Sequence, residues 1–230
     1  MIPTTPPLAD LPEPAGAVPP ERAALQWYLR LARHHLGGGP YLDVAGAGGA
    51  LLAGLARLGP VSGLAGSEAE AEAEAMRLGA PGCPVHLSID ALPGPVASLT
   101  AVEVLDRLPG VRPAGDLGPD GWFRALEPGG YALVVAADAE GRGRELAGAR
   151  WVPPRVPRGH LRIREILVAA GFEIVREGSD GLTRGPYGGI PTWADPRLAA
   201  TRAQRSAGRL TCEAGSGERA VIIARRPPAP

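Results

Sequence analysis

The 230-residue chain contains no lysine and no asparagine, only two phenylalanines, two glutamines and two cysteines, and all 24 of its basic side chains are arginine. Lys, Asn and Phe use AT-rich codons, whereas Gly, Pro, Ala and Arg use GC-rich ones. Part of the 33 Gly and 26 Pro is therefore the background of a GC-rich gene. Such a share can accompany disorder when no periodic pattern is present. An apolar fraction of 45% and a charged fraction of 21% are those of a globular protein instead. Cys83 and Cys212 are too few for a disulfide framework, so a reduced, cytoplasmic protein is expected. No apolar run approaches the roughly 18 residues of a membrane helix, and no basic stretch followed by an apolar one opens the chain. Neither a span nor a signal peptide is expected.

The charges sum to zero, which argues against a nucleic-acid or anionic-membrane binder working by bulk electrostatics. Their distribution is uneven. Residues 1–137 hold 14 acids and 8 Arg, and residues 138–230 hold 10 acids and 16 Arg. An acidic first part thus faces a basic last part within one molecule.

Residues 1–20 hold seven prolines and read as a loose leader, with a single domain over 21–230. Leu25, Tyr28, Leu29, Ala32 and Leu36 recur at helical spacing before the Gly37–Pro40 stop. A strand Tyr41–Val44 follows, then the glycine-rich stretch Ala45-Gly46-Ala47-Gly48-Gly49 and a short helix through Leu51 to Leu58. Further strands are expected at Val61–Leu64, Val85–Ser88, Leu99–Val102 and Tyr131–Ala136. Ser67-Glu68-Ala69-Glu70 is a capping-box pattern that opens a helix reaching Met76. This β-α alternation implies a parallel sheet with helices on both faces and a ligand site beyond the carboxyl ends of its strands. After a Pro/Arg-rich loop from Trp151 to Gly159, a helix over Leu161–Ala170 and strands at Phe172–Glu177 and Ala220–Arg225 complete the pattern. The last two strands are too far apart for a hairpin. Residues 178–218 therefore read as an insertion serving as a lid or a dimer contact, with Asp195-Pro196 as a helix start inside it.

Two nucleotide-binding readings compete for the first strand and its loop. A dinucleotide-binding dehydrogenase wants three spaced glycines and an acid ending the second strand, but Leu51 occupies the third glycine position. Asp43, inside the first strand, fits the other reading. With Leu42-Asp43-Val44-Ala45-Gly46-Ala47-Gly48-Gly49 the chain resembles class I S-adenosylmethionine-dependent methyltransferases of the small-molecule type. Further matches come in order: Val61-Ser62-Gly63-Leu64 with Ser67-Glu68, Ile89-Asp90-Ala91-Leu92-Pro93, Glu103 to Pro109, Leu126 to Tyr131, and Ala169 to Glu173. The resemblance implies a Rossmann-like fold, a mainly parallel seven-stranded sheet with helices on both faces and an antiparallel last strand.

It also implies S-adenosylmethionine as cofactor. Asp43, Ala45, Gly46, Ala47 and Gly49 would line its methionine end, while Asp90 and Ala91 would face the adenine. Two positions depart from the pattern. The acid that ends the second strand in the family, and binds both ribose hydroxyls, is replaced by Ala65; Ala47 stands where glycine is usual.

Methyl transfer from a sulfonium is an in-line displacement, so catalysis is mostly positioning, plus a base where the acceptor loses a proton. His160, before the helix that follows the fifth strand, and Glu103, at the end of the fourth strand, are the base candidates. Glu103 and Asp106 could share a helix face, or be a solvated pair. Tyr187 and Trp193 in the insertion are candidates to close over an apolar substrate. His86 reads as packed in a strand, and His34 and His35 as a helix end matched to its dipole. The four His and two Cys lack metal-ligand spacing. The expected function is methyl transfer to a small-molecule acceptor. The alternative is a methyltransferase-like protein that no longer methylates, acting as a cofactor-independent enzyme such as a cyclase or as a partner subunit.

Overall fold

The computed structural model describes residues 19–44, 50–72, 83–109, 115–147, 156–183, 190–191 and 193–229. In chain order these form α1 (Pro19–His35), β1 (Tyr41–Val44), α2 (Ala50–Leu55), β2 (Val61–Leu64), β3 (Val85–His86), β4 (Val96–Val102) and α3 (Pro119–Ala125). Then come β5 (Leu126–Ala137), α4 (Arg142–Ala147), α5 (His160–Ala169), β6 (Glu173–Ser179), α6 (Ala199–Ala207) and β7 (Arg219–Arg225). The strands make one sheet in the order β3-β2-β1-β4-β5-β7-β6. β1 to β5 run parallel, and β7 lies antiparallel between β5 and β6.

The central strands read as continuous apolar runs because both faces are covered. Ala132–Ala136 of β5 and Ala220–Ala224 of β7 are buried throughout, as expected where helices pack on both sides of a sheet. Alternate residues serve two cores. Leu42, Val44, Val134 and Ile222 pack with Trp122 of α3 and with Ile163 and Leu167 of α5. Tyr41, Leu133, Val135 and Ile223 pack with Trp27 and Leu31 of α1 and with Leu51 and Leu55 of α2. Each fully buried Leu contributes about 2 kcal/mol, so these two faces supply most of the driving force.

Several element ends differ from the sequence expectation. β5 begins at Leu126, not Tyr131, because the Pro128-Gly129-Gly130 stretch that looks like a turn is held as strand. Gly129 donates its N–H to the Arg226 carbonyl at 2.9 Å, and Arg226 donates back to Gly130 at 2.9 Å. β3 is only two residues long, since Ser88 leaves the strand to cap a short 3-10 turn at Ile89–Ala91. The N-cap half of the capping box at Ser67 forms, with Ser67 Oγ accepting from Glu70 N–H at 3.2 Å, while the Glu70 side chain turns to the Gly66 N–H rather than to that of Ser67. The remainder of that expected helix, like the leader, lies largely outside the described residues.

The insertion is docked onto the body. Asp195 caps the turn at Pro196–Leu198 by accepting from Arg197 N–H at 3.0 Å. α6 then lies against α1, where Arg30 Nη1 donates to the Arg205 carbonyl at 3.0 Å.

Candidate functional site

All parallel strands end on one edge of the sheet, and β7 starts there, since Ala137 pairs with Arg219 and Ser179 with Ala220. Between β1 and β4 the strand order reverses, the position at which open α/β sheets bind ligands. Asp43 and Thr100 face each other across this switch point. Asp43 is buried, and its Oδ1 accepts from Thr100 Oγ1 at 2.6 Å.

At the end of β2, Ala65 is fully buried and donates its N–H to the His86 carbonyl at 2.9 Å. The next residue, Gly66, donates its N–H to Glu70 Oε2 at 2.9 Å. Glu70 Oε1 in turn lies 3.4 Å from Arg107 Nη1. A carboxylate therefore does stand at the end of β2, brought back by the first helical turn at residues 68–72. The dipole of that turn favours such a charge. A Cβ at Gly66 would come within 2.7 Å of Leu117 Cδ1, so a side chain there requires the Leu117 side chain to shift.

The turn after β3 carries Asp90 and Ala91, both exposed. Ser88 Oγ accepts from Asp90 N–H at 3.2 Å.

At the end of β4, Glu103 takes a left-handed φ of 59°, the one non-glycine residue at positive φ among those described. Such a conformation is strained for a side-chain-bearing residue, and it persists only where neighbours fix it. Here the Glu103 N–H donates to the Val135 carbonyl at 2.8 Å, while Arg219 Nε and Nη2 both donate to Oε1, at 2.9 and 2.6 Å. Glu103 keeps 41% of its side chain exposed, whereas Arg219 is buried. The other face of the guanidinium meets Asp180, wholly buried, at 3.3 Å. Asp180 also accepts from Arg219 N–H at 2.9 Å, with Tyr28 Oη of α1 at 3.5 Å. Burial pushes the Asp180 carboxyl up to about 6, the Arg219 charge notwithstanding. Burial, reinforced by the Asp180 charge, also raises the Tyr28 phenol.

Of the two arrangements open for Glu103 and Asp106, the shared helix face does not form, since the chain turns after β4. Asp106 instead receives the Ala137 N–H of β5 on both carboxylate oxygens at 3.0 Å. Burial, with the nearby Glu103 charge, raises its carboxyl to about 6.

Searches with family models and among curated proteins find no match. Solved structures do match. The methyltransferase CcbJ from Streptomyces caelestis superposes with TM-score 0.59 at 16% identity, over 95% of this chain and 94% of that one. The N-methyltransferase NodS from Bradyrhizobium japonicum WM9, in complex with S-adenosyl-l-homocysteine, gives 0.56 at 17% identity, over 96% and 94%. The 4+2 cyclase SpnF gives 0.55 at 19% identity, over 89% and 82%. The fold is that of class I S-adenosylmethionine-dependent methyltransferases.

On this methyltransferase fold, the sequence candidates fall into three groups. Asp43, Ala65, Asp90, Ala91 and Glu103 lie at or just beyond the carboxyl ends of β1, β2, β3 and β4. Ala45, Gly46, Ala47, Gly49 and Tyr187 lie outside the described residues. His160 and Trp193 have other surroundings. His160 is buried at the start of α5, its N–H donating to Asp138 Oδ1 at 3.1 Å and its Nε2 lying 3.2 Å from Glu177 Oε2 of β6. Trp193 is 82% exposed.

Sequence reasoning missed Arg219, Asp180, Tyr28 and Glu70. For two of them a signal exists. Asp180 follows directly on a strand end, and Arg219 opens an otherwise apolar strand, so a carboxyl-edge rule applied to β6 and β7 would have found them. Among the described residues no helix is long and apolar enough to cross a membrane.

Proposed function

We propose that this methyltransferase-fold protein binds S-adenosylmethionine and transfers its methyl group to a small-molecule acceptor. The observation that carries this reading is the set of acids contributed by separate chain segments to one edge, Asp43 of β1, Asp90 after β3 and Glu103 after β4. Asp43 and Glu103 flank the switch point.

The residues fit the group. Asp43, fixed by Thr100, serves the methionine end, and Asp90 presents an exposed carboxylate to the exocyclic amine of the adenine. Ala65 offers no acid to the ribose, but the Glu70 carboxylate occupies the same strand end. When bound, the cofactor supplies an electrophilic methyl group. Glu103 is the proton acceptor for the acceptor molecule. Arg219 engages its Oε1, which leaves Oε2 to take a proton from a hydroxyl or amine. Arg219 is itself shared between Glu103 and Asp180, so it does not serve as an anion hook. Two free cysteines, Cys83 and Cys212, support a reducing, cytoplasmic setting.

A second reading, a cofactor-independent activity such as a cyclase on the same fold, is favoured by the buried methyl of Ala65 at the ribose position and by the likeness to SpnF. Calorimetric titration with S-adenosylmethionine and S-adenosylhomocysteine decides. Binding of both is expected, and no heat at millimolar ligand overturns methyl transfer in favour of the second reading.

A further inference from the structure

The segment before α3 reaches across to both places assigned to the nucleoside. Asp116 Oδ2 accepts from the Ile89 N–H at 2.9 Å and from Ser88 Oγ at 2.9 Å. Ser88 Oγ passes the constraint on by accepting from Asp90 N–H at 3.2 Å. The neighbouring Leu117 lies over Gly66 at the end of β2, so close that a Cβ there would meet it.

Asp116 is itself pinned. Arg124 Nη2 of α3 donates to its Oδ1 at 2.7 Å. Its backbone rests on Gly121, where a Cβ would fall 2.5 Å from the Asp116 carbonyl oxygen, so only glycine allows α3 to approach so closely. The exposed turn 88–91 is only two residues removed from the two-residue strand β3 and has little packing of its own beyond Ile89. Beyond its own backbone bonds, from Ala91 N–H to the Ser88 carbonyl at 3.2 Å and from Leu92 N–H to the Ile89 carbonyl at 3.0 Å, it is anchored to the body through Asp116.

We propose that Asp116 is the positioning residue of the nucleobase-facing turn, holding Ile89 and Ser88 so that the Asp90 carboxylate stands where it discriminates an exocyclic amine from a carbonyl oxygen. The inference rests on the reading of Asp90 as the adenine contact. Without the Asp116 carboxylate the Ile89 N–H loses its acceptor, the Ser88 hydroxyl is free to rotate, and the Asp90 cap loosens. Affinity then falls, and selectivity falls with it.

The test titrates wild type, Asp116→Ala, Asp116→Asn and Ser88→Ala with S-adenosylhomocysteine and with S-inosylhomocysteine, which carries a carbonyl in place of the amine. Thermal unfolding reports folding of each variant. Wild type is expected to prefer the adenosyl ligand about tenfold or more, the worth of one lost charge-assisted hydrogen bond. Asp116→Ala should weaken S-adenosylhomocysteine binding about tenfold and bring the preference toward unity. Asp116→Asn and Ser88→Ala should shift the preference the same way by less. A purely structural Asp116 would lower the unfolding temperature of its variants and leave the preference ratio as in wild type, and that result overturns the proposal. Wild type that binds S-adenosylhomocysteine with unchanged selectivity in folded variants removes the Asp116 role alone. Wild type that binds neither ligand removes the cofactor reading as well.

Discussion

On the proposed cofactor reading, Ala65 and Glu70 together set what the end of β2 offers to a ribose. Both lie at the carboxyl end of β2, Ala65 buried and Glu70 reaching back to the Gly66 N–H at 2.9 Å. Introducing Ala65→Asp places a second carboxylate beside the first, and like charges at such range oppose each other. Ala65→Asp alone should change S-adenosylhomocysteine affinity little. In a Glu70→Gln background it should strengthen binding by about tenfold, as a charge-assisted contact to a hydroxyl does. Calorimetry on the two single variants and the double variant measures this. Equal effects in both backgrounds would show that Glu70 is remote from the ribose.

Asp106 gives a second residue-level expectation, in pH. Its carboxyl lies near 6 in the native protein through burial, whereas an unfolded chain holds an Asp near 3.9. The folded state thus keeps the proton longer. Its stabilising contribution is complete below about 4 and is lost as pH rises through about 6. Asp106→Asn retains an acceptor for the Ala137 N–H and removes the buried charge. It should raise stability at pH 7.5 by on the order of 2 kcal/mol and leave it unchanged at pH 4. Denaturant midpoints at the two pH values test it, and an equal change at both would place the effect in packing.

At the scale of elements, α6 shows how the insertion is held. Gln204 is buried, its Nε2 donating to the Ser179 carbonyl at 3.0 Å and its Oε1 accepting from the Thr211 and Cys212 N–H groups at 3.1 and 3.0 Å. One side chain satisfies three backbone groups on two segments. Gln204→Ala leaves all three without a partner and should cost about 2–3 kcal/mol, read as a lower unfolding midpoint. A change below about 0.5 kcal/mol would mean that water replaces the amide.

Elements of this kind divide what the sequence reveals from what it hides. Periodicity and caps suffice for β1, β2, α5 and the Asp195 turn, because each is decided by residues a few positions apart. The stretch after β4 reads as helix only from the β-α alternation, since Val104 and Asp106 are weak helix formers. It is overridden by bonds from Glu103 N–H to Val135 and from Ala137 N–H to Asp106, more than 30 residues away. Glu103 was legible as a site candidate from its place at a strand end. Its partner Arg219 is marked locally only by its place at the start of β7, and the pairing across 116 positions by nothing local at all.

On the scale of the molecule, β7 joins what the sequence divides. The acidic first part and basic last part meet where Arg219 of β7 pairs with Glu103, just after β4. β7 also carries adjacent side chains into opposite cores, Ile222 toward α3 and α5, Ile223 toward α1 and α2. Both are wholly buried, so Ile222→Ala and Ile223→Ala should each cost about 2–5 kcal/mol. The two side chains belong to separate core clusters on opposite faces, so the double variant should lose close to the sum of the two, any departure measuring coupling through their shared backbone. Unfolding should nevertheless stay a single transition, since one strand belongs to both cores and neither face can be lost while the other keeps β7 in place. Chemical denaturation followed by tryptophan fluorescence, with Trp151 and Trp193 replaced by Phe and either Trp122 or Trp27 kept, reports on each face in turn, and circular dichroism on the whole. Coincident midpoints with additive losses are expected. Separate transitions in the Ile222→Ala variant would mean that the two faces fold independently and that β7 does not couple them.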